Sequence, residues 1–143
     1  MTEKKKDGLE LQLEMLQENY VPSESERKKV VLYYFFVGIV IALSKKTITR
    51  YELFHLRQAI GWWAVFFLVF IFSMMWIFIP FLRFIPILMF IAMFVIWIIF
   101  VKQAWEWKYV VEVNWEEKIL LPFFNGIGTW ILDMFDLDLK VEK

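Results

Sequence analysis

The sequence contains no cysteine, five glycines, four prolines and a single histidine, His55. Without cysteine there can be no disulfide, no thiolate metal site and no thiol nucleophile. One histidine leaves only carboxylates to complete a metal site, so we expect no metal and no cofactor. Charge of one sign is also missing, because 16 basic and 16 acidic side chains give a formal net charge of zero. No overall field attracts nucleic acid, and we expect no nucleic-acid partner.

Apolar side chains are abundant, at 60% of the chain, with 20% aromatic. Residues 62–79 and residues 84–101 form two runs without a charged side chain. At about 1.5 Å per helical residue each run covers about 27 Å, close to the roughly 30 Å of hydrocarbon in a bilayer. The sequence therefore predicts two membrane-spanning helices, joined through the turn at residues 80–86 into an antiparallel hairpin.

Two shorter hydrophobic segments lie on either side of this hairpin, at about residues 30–44 and 119–135. Both are shorter than a full span, and the second contains Pro122, Asn125 and two glycines. Basic residues favour a first segment that dips into the membrane and returns. In that arrangement three groups of basic residues lie on the cytoplasmic side: six before the segment, four after it and three after the third helix. The opposite side has one, in the 80–86 turn. A full crossing would leave no preferred orientation.

Local signals predict where the helices begin. Ser23 with Glu26, and Thr49 with Glu52, have the spacing of capping boxes. The first helix is expected to run unbroken through residue 44, and the second to Ile79, before a proline. The third is expected to have a proline in its first turn and to continue towards residue 114.

These signals predict an all-α polytopic membrane bundle with two full spans, one or two short or re-entrant hydrophobic helices, and amphipathic interfacial helices. Residues 1–22 are expected to form an amphipathic cytoplasmic helix and linker. Residues 23–143 form the membrane domain, whose hydrophobic segments lie at about 30–44, 58–79, 84–101 and 119–135.

Polar residues precede the second hydrophobic helix. Glu52, His55 and Gln58 fall on one helical stripe, with Arg57 adjacent. They suit either an interfacial collar that contacts lipid headgroups or a polar network inside the bundle or lining a cleft.

Four aromatic residues follow the third hydrophobic helix. They are typical of an interfacial aromatic belt, although a ligand cage is an alternative. The four are Trp105, Trp107, Tyr109 and Trp115.

The eight residues "FHLRQAIG" at 54–61, at the entry to a long hydrophobic helix, resemble a family signature, F-H-x-[K/R]-Q-[A/G]. That signature belongs to small bacterial membrane proteins related to the twenty-kilodalton membrane subunit of the chloroplast inner-envelope protein translocon, the Tic-twenty-like family. "LPFFNGIG" at 121–128 resembles the proline and glycine that open its last helix. The resemblance implies an all-helical integral membrane protein. We expect a multi-pass protein of the bacterial cytoplasmic membrane, with the N-terminus in the cytoplasm, as the basic residues favour. The acidic N-terminus and the weak final span depart from the family pattern.

Catalytic motifs are absent from the sequence: it has no H-E-x-x-H pair, no aspartates within the long apolar runs and no serine with a histidine base. We therefore expect a non-enzymatic protein. The first hypothesis is a structural or accessory subunit of a larger membrane complex, which packs by its aromatic-rich helices on another membrane protein or on further copies of itself. The alternative is an oligomeric channel or a protein-translocation component of the Tic-twenty-like type.

Overall fold

A computed structural model describes residues 21–45, 47–106, 115–137 and 139–141, without the side chains of 115–122, 140 and 141. The predicted N-terminal helix within 1–22 lies almost wholly outside this part of the chain. The described residues form five helices and one parallel pair of two-residue strands. In chain order they are α1 Glu24–Tyr33, α2 Phe36–Ser44, β1 Thr47–Ile48, α3 Arg50–Trp76, α4 Phe84–Trp105, α5 Trp115–Met134 and β2 Lys140–Val141. The all-helical class is confirmed.

The two capping boxes are confirmed. Before α1, the Ser23 hydroxyl accepts from the Glu26 backbone N–H at 3.3 Å, and the Glu26 carboxylate accepts from the Ser23 N–H at 2.6 Å. Thr49 and Glu52 make the same pair of bonds before α3, at 3.3 and 3.2 Å. Both helices therefore begin where the sequence predicts, because the cap satisfies backbone N–H groups that have no partner within the helix.

The hydrophobic segment at 30–44 is not one helix, so that prediction was wrong. The helix breaks at Tyr34 and Phe35, and α2 begins at Phe36. The break is held from outside the segment, because the Trp97 indole N–H of α4 donates to the Tyr34 carbonyl at 3.0 Å. It also needs a glycine, since a Cβ on Gly38 would overlap the Leu32 carbonyl.

The other helix ends differ modestly from the prediction. Helix α3 ends at Trp76, three residues before the predicted Ile79, and α4 ends at Trp105 rather than continuing towards residue 114. Residues 107–114 lie outside the described part. Helix α5 begins at Trp115 and runs without interruption through Pro122. Pro122 therefore lies inside α5 and not in its first turn.

Burial divides the bundle into two zones. In the first half of α3, all of residues 51–62 are buried, which is about three turns and so includes every face of the helix. Helices α1, α2, α4 and α5 all contact α3. We call this zone the hub. Beyond it, residues 67–95 form the distal hairpin, in which α3 and α4 contact each other and most side chains are exposed.

The α1–α2 segment reaches only the near end of the distal hairpin. The Phe36 ring lies 5.5 Å from that of Trp63 and 6.3 Å from that of Phe67. The chain then returns, since Lys45, directly after α2, places its ammonium 4.0 Å from the Glu52 carboxylate at the start of α3. Helix α2 therefore runs back towards the end of the bundle where α3 begins. The chain end returns there too, because Val141 pairs with Ile48.

Candidate functional site

The centre of the hub is a three-residue hydrogen-bonded cluster. The Tyr34 hydroxyl lies 2.9 Å from His55 Nδ1 and 2.9 Å from Gln58 Oε1, and all three side chains are fully buried. Tyr34 donates its one proton to Gln58, so it accepts from His55. This assigns the Nδ1–H tautomer to His55 and leaves Nε2 as an acceptor.

Aromatic rings enclose the histidine. The His55 ring makes edge contacts with Tyr51 at 4.7 Å, Phe54 at 5.1 Å and Tyr34 at 6.1 Å between centroids. Such edge-to-face contacts favour one ring orientation. The imidazole is therefore held in place by packing as well as by its hydrogen bond.

Among the buried polar atoms of the hub that have no hydrogen-bond partner within the described residues are His55 Nε2, the Gln58 amide nitrogen and Asn125 Oδ1. All three are buried. Polar atoms in such positions usually bind water or another small polar molecule. Taken singly, His55 Nε2 and Asn125 Oδ1 are acceptors and the Gln58 amide nitrogen is a donor. Each of these atoms can form a hydrogen bond with a polar molecule.

Of the four polar residues predicted from the sequence, the structure brings two together. His55 and Gln58 share Tyr34, whereas Glu52 caps α3 and lies beside Lys45. Arg57 is buried at 7% exposure. All four side chains lie inside the bundle, so their positions fit a polar network in the interior better than a collar that contacts lipid headgroups. A functional role for them stays a prediction.

Aromatic side chains with a polar atom tie the hub to α4. The Tyr51 hydroxyl donates to the Ala104 carbonyl at 2.7 Å, and the Trp62 indole donates to the Met93 carbonyl at 3.2 Å. Sequence reasoning missed these roles and that of Tyr34, because it took the aromatic residues as apolar bulk. The signal was the presence of hydroxyl and indole groups inside apolar segments, where each needs an acceptor.

Two glycines set the crossing of α3 and α5. A Cβ on Gly61 would overlap the Phe124 carbonyl, and one on Gly128 would overlap the Arg57 carbonyl. Gly61 and Arg57 are four residues apart on α3, and Phe124 and Gly128 are four residues apart on α5. The two close contacts are therefore one helical turn from each other. Sequence reasoning noted few small-residue repeats and missed that a single glycine on each helix allows close contact with the backbone of the other.

The predicted aromatic belt is described only in part. Trp105 is 57% exposed at the end of α4. Trp107 and Tyr109 lie outside the described residues, as does the side chain of Trp115. The belt therefore stays a prediction.

Acidic, histidine and cysteine side chains form no group of three that could hold a metal ion within the described residues. Comparison with protein-family models, with curated proteins and with solved structures found no match to this chain.

Proposed function

We propose that this chain is a non-enzymatic integral membrane protein that serves as a structural or accessory subunit of a larger membrane complex. One observation carries the membrane placement: several polar side chains are buried in the hub, while many large apolar side chains are exposed. His55, Gln58 and Asn125 are buried in the hub, whereas large apolar side chains line its outer surface and the distal hairpin. A protein in water has the reverse arrangement, and a helical bundle in lipid has this one.

The two long helices support the same placement. Helices Arg50–Trp76 and Phe84–Trp105 are long and apolar enough to cross a membrane. Of the most apolar 18 residues in each helix, 33% are buried in the first and 17% in the second. The core helices of soluble proteins are mostly buried. The most apolar stretch of each helix is therefore mostly exposed, which favours lipid as its surroundings.

The contacts of α2 support a first segment that enters the membrane and returns. Phe36 packs beside Trp63 and Lys45 lies beside Glu52, so α2 travels back along α3. With α3 and α4 as the two full spans, both ends of α2 then belong to the half of the membrane that holds the hub. We place the N-terminus and Lys45 on the cytoplasmic side, as the basic residues favour.

A subunit role is supported by packing and by surface. The glycine crossing and the buried hydrogen bonds make the hub a preorganised core, and aromatic side chains remain exposed for a partner in the membrane. The resemblance to Tic-twenty-like proteins supports the alternative, an oligomeric channel or a translocation component. Within the described residues α3 is covered on every face of the hub, so a pore would have to form between several copies.

Three measurements test the proposal. We expect the chain to stay with membranes after carbonate washing, to co-purify with a larger complex in mild detergent, and to pass no ions in a planar bilayer. Removal by carbonate would contradict the membrane placement. Ion conduction by the purified chain would favour the channel alternative over the accessory role.

A further inference from the structure

Helices α3 and α5 each carry a buried amide side chain that is only partly hydrogen-bonded. The Gln58 oxygen accepts from Tyr34, but the Gln58 amide nitrogen has no partner within the described residues. The same is true of Asn125 Oδ1 on α5. Gln58 is 0% exposed and Asn125 is 5% exposed. A buried polar atom without a partner costs free energy, so each of these atoms needs a hydrogen bond that the described protein groups do not supply.

The crossing of α3 and α5 places the two amides on the same side of the interface. The two close contacts between these helices run in opposite directions along the chain, so the helices are antiparallel. Gln58 directly follows the contact residue Arg57 on α3. On α5, Asn125 directly follows the contact residue Phe124. In an antiparallel pair, one residue forward along either helix turns the side chain by about 100° towards the same side.

The two amides also lie at nearly the same height along the crossing. The close contacts are one helical turn apart, which is about 6 Å for four residues. Gln58 and Asn125 are each one residue inside this turn, from opposite ends, so about 3 Å separates them along the helix axes. The Gln58 nitrogen is a donor and Asn125 Oδ1 is an acceptor, yet neither has a partner. The two atoms are therefore separated by a gap and do not bond directly.

Three buried aromatic rings connect the two amides around this side. Tyr34, which donates to Gln58, lies 6.1 Å from the ring of Phe100 on α4. Phe100 in turn lies 5.3 Å from the ring of Phe124, the neighbour of Asn125. All three rings are at most 2% exposed. The gap between the amides is therefore in the interior of the hub.

We propose that one water molecule is bound between Gln58 and Asn125 and links α3 to α5. It accepts from the Gln58 nitrogen and donates to Asn125 Oδ1. A cation would satisfy only the oxygen and an anion only the nitrogen, so the site requires a neutral molecule with both a donor and an acceptor. The backbones touch at both ends of this turn, which favours the smallest such molecule. The inference concerns the interior of the hub and is independent of the membrane role proposed above.

The experiment detects the water at the two amides in the purified full chain in detergent micelles. The side-chain amides of glutamine and asparagine are isotope-labelled, and cross-relaxation between their protons and water is measured as NOE and ROE. We expect signals of opposite sign in the two measurements at both Gln58 and Asn125. A water that stays bound gives this pattern, whereas direct exchange of the amide protons gives the same sign in both.

Two variants on α5 locate the water. Asn125→Leu removes the acceptor at similar volume, so the water signal at the Gln58 amide should be lost. Thr129→Val, one turn along α5, removes a hydroxyl that donates to the Asn125 backbone carbonyl of its own helix, and both signals should remain. If Asn125→Leu does not fold, the presence or absence of both signals in Thr129→Val decides alone.

Three results would overturn the bridging water. One is the absence of a water signal at either amide. Another is a Gln58 signal that persists in Asn125→Leu, because it would then arise through exchange of the Tyr34 hydroxyl proton. The third is a direct NOE between the two amides without a water signal. None of these results changes the membrane placement.

Discussion

The crossing of α3 and α5 makes a sharp prediction, because glycines with and without a close contact occur on the same helix. A Cβ on Gly128 would overlap the Arg57 carbonyl, whereas one on Gly126 would meet nothing within 4 Å. In Gly128→Ala the added methyl must push the two helices apart, and overpacking of this kind costs about 1–3 kcal/mol. Alanine also favours the helix by up to about 1 kcal/mol over glycine, and that gain applies at both positions.

We therefore expect Gly126→Ala to leave the free energy of unfolding unchanged or to raise it. The free energy of unfolding of Gly128→Ala should be about 1–3 kcal/mol lower than that of Gly126→Ala. Reversible unfolding in mixed detergent micelles measures this difference. About 1.4 kcal/mol corresponds to a tenfold change in the folding equilibrium constant. Gly61→Ala should behave like Gly128→Ala. In a variant that carries both Gly61→Ala and Gly128→Ala, the free energy of unfolding should fall by less than the sum of the two single losses. The first substitution already separates the helices. Equal stability of Gly128→Ala and Gly126→Ala would refute the close crossing.

Three further predictions follow from the hub and its ends. Tyr34→Phe leaves two buried polar partners without their hydroxyl and should lower the free energy of unfolding by about 1–3 kcal/mol. Tyr33→Phe should lower it little, because the buried Tyr33 hydroxyl has no hydrogen-bond partner in the described part of the chain. Equal losses in the two variants would contradict the cluster. Thr49→Ala removes the cap of α3 and should cost about 1 kcal/mol in the same assay, and no loss would contradict the capping box. Single cysteines at the exposed Ser25 and Thr47 should react with an impermeant maleimide from the same side of the membrane, whereas a full crossing of the intervening segment would place them on opposite sides.

Local signals in the sequence predict the local features well. The capping boxes depend on residues three apart, and the long helices on uninterrupted apolar runs, so neighbours in sequence are sufficient for both. The break at Tyr34 and Phe35 depends on Trp97, a residue on a different helix. No pattern within 30–44 contains that partner, and the apolar run alone favours an unbroken helix.

The candidate site shows the same division between local and long-range information. Helical spacing predicts that His55 and Gln58 share a face, and they do share one hydrogen-bonding partner. That partner, Tyr34, lies in a separate segment and is an aromatic residue in an apolar stretch. Sequence spacing identifies the face of a helix, but which segment covers it depends on tertiary packing.

The distribution of polar groups follows from how many helices surround each position. In the hub, where α3 is covered on every face, donors and acceptors from other helices can reach His55 and Gln58. In the described distal hairpin the buried polar side chain is Ser73, and its hydroxyl donates to the Val69 carbonyl of its own helix at 2.7 Å. A helix with one neighbour offers few outside partners, so a polar side chain there must be satisfied locally. A polar site of this chemistry therefore belongs in the hub, because only there can several helices supply its hydrogen bonds.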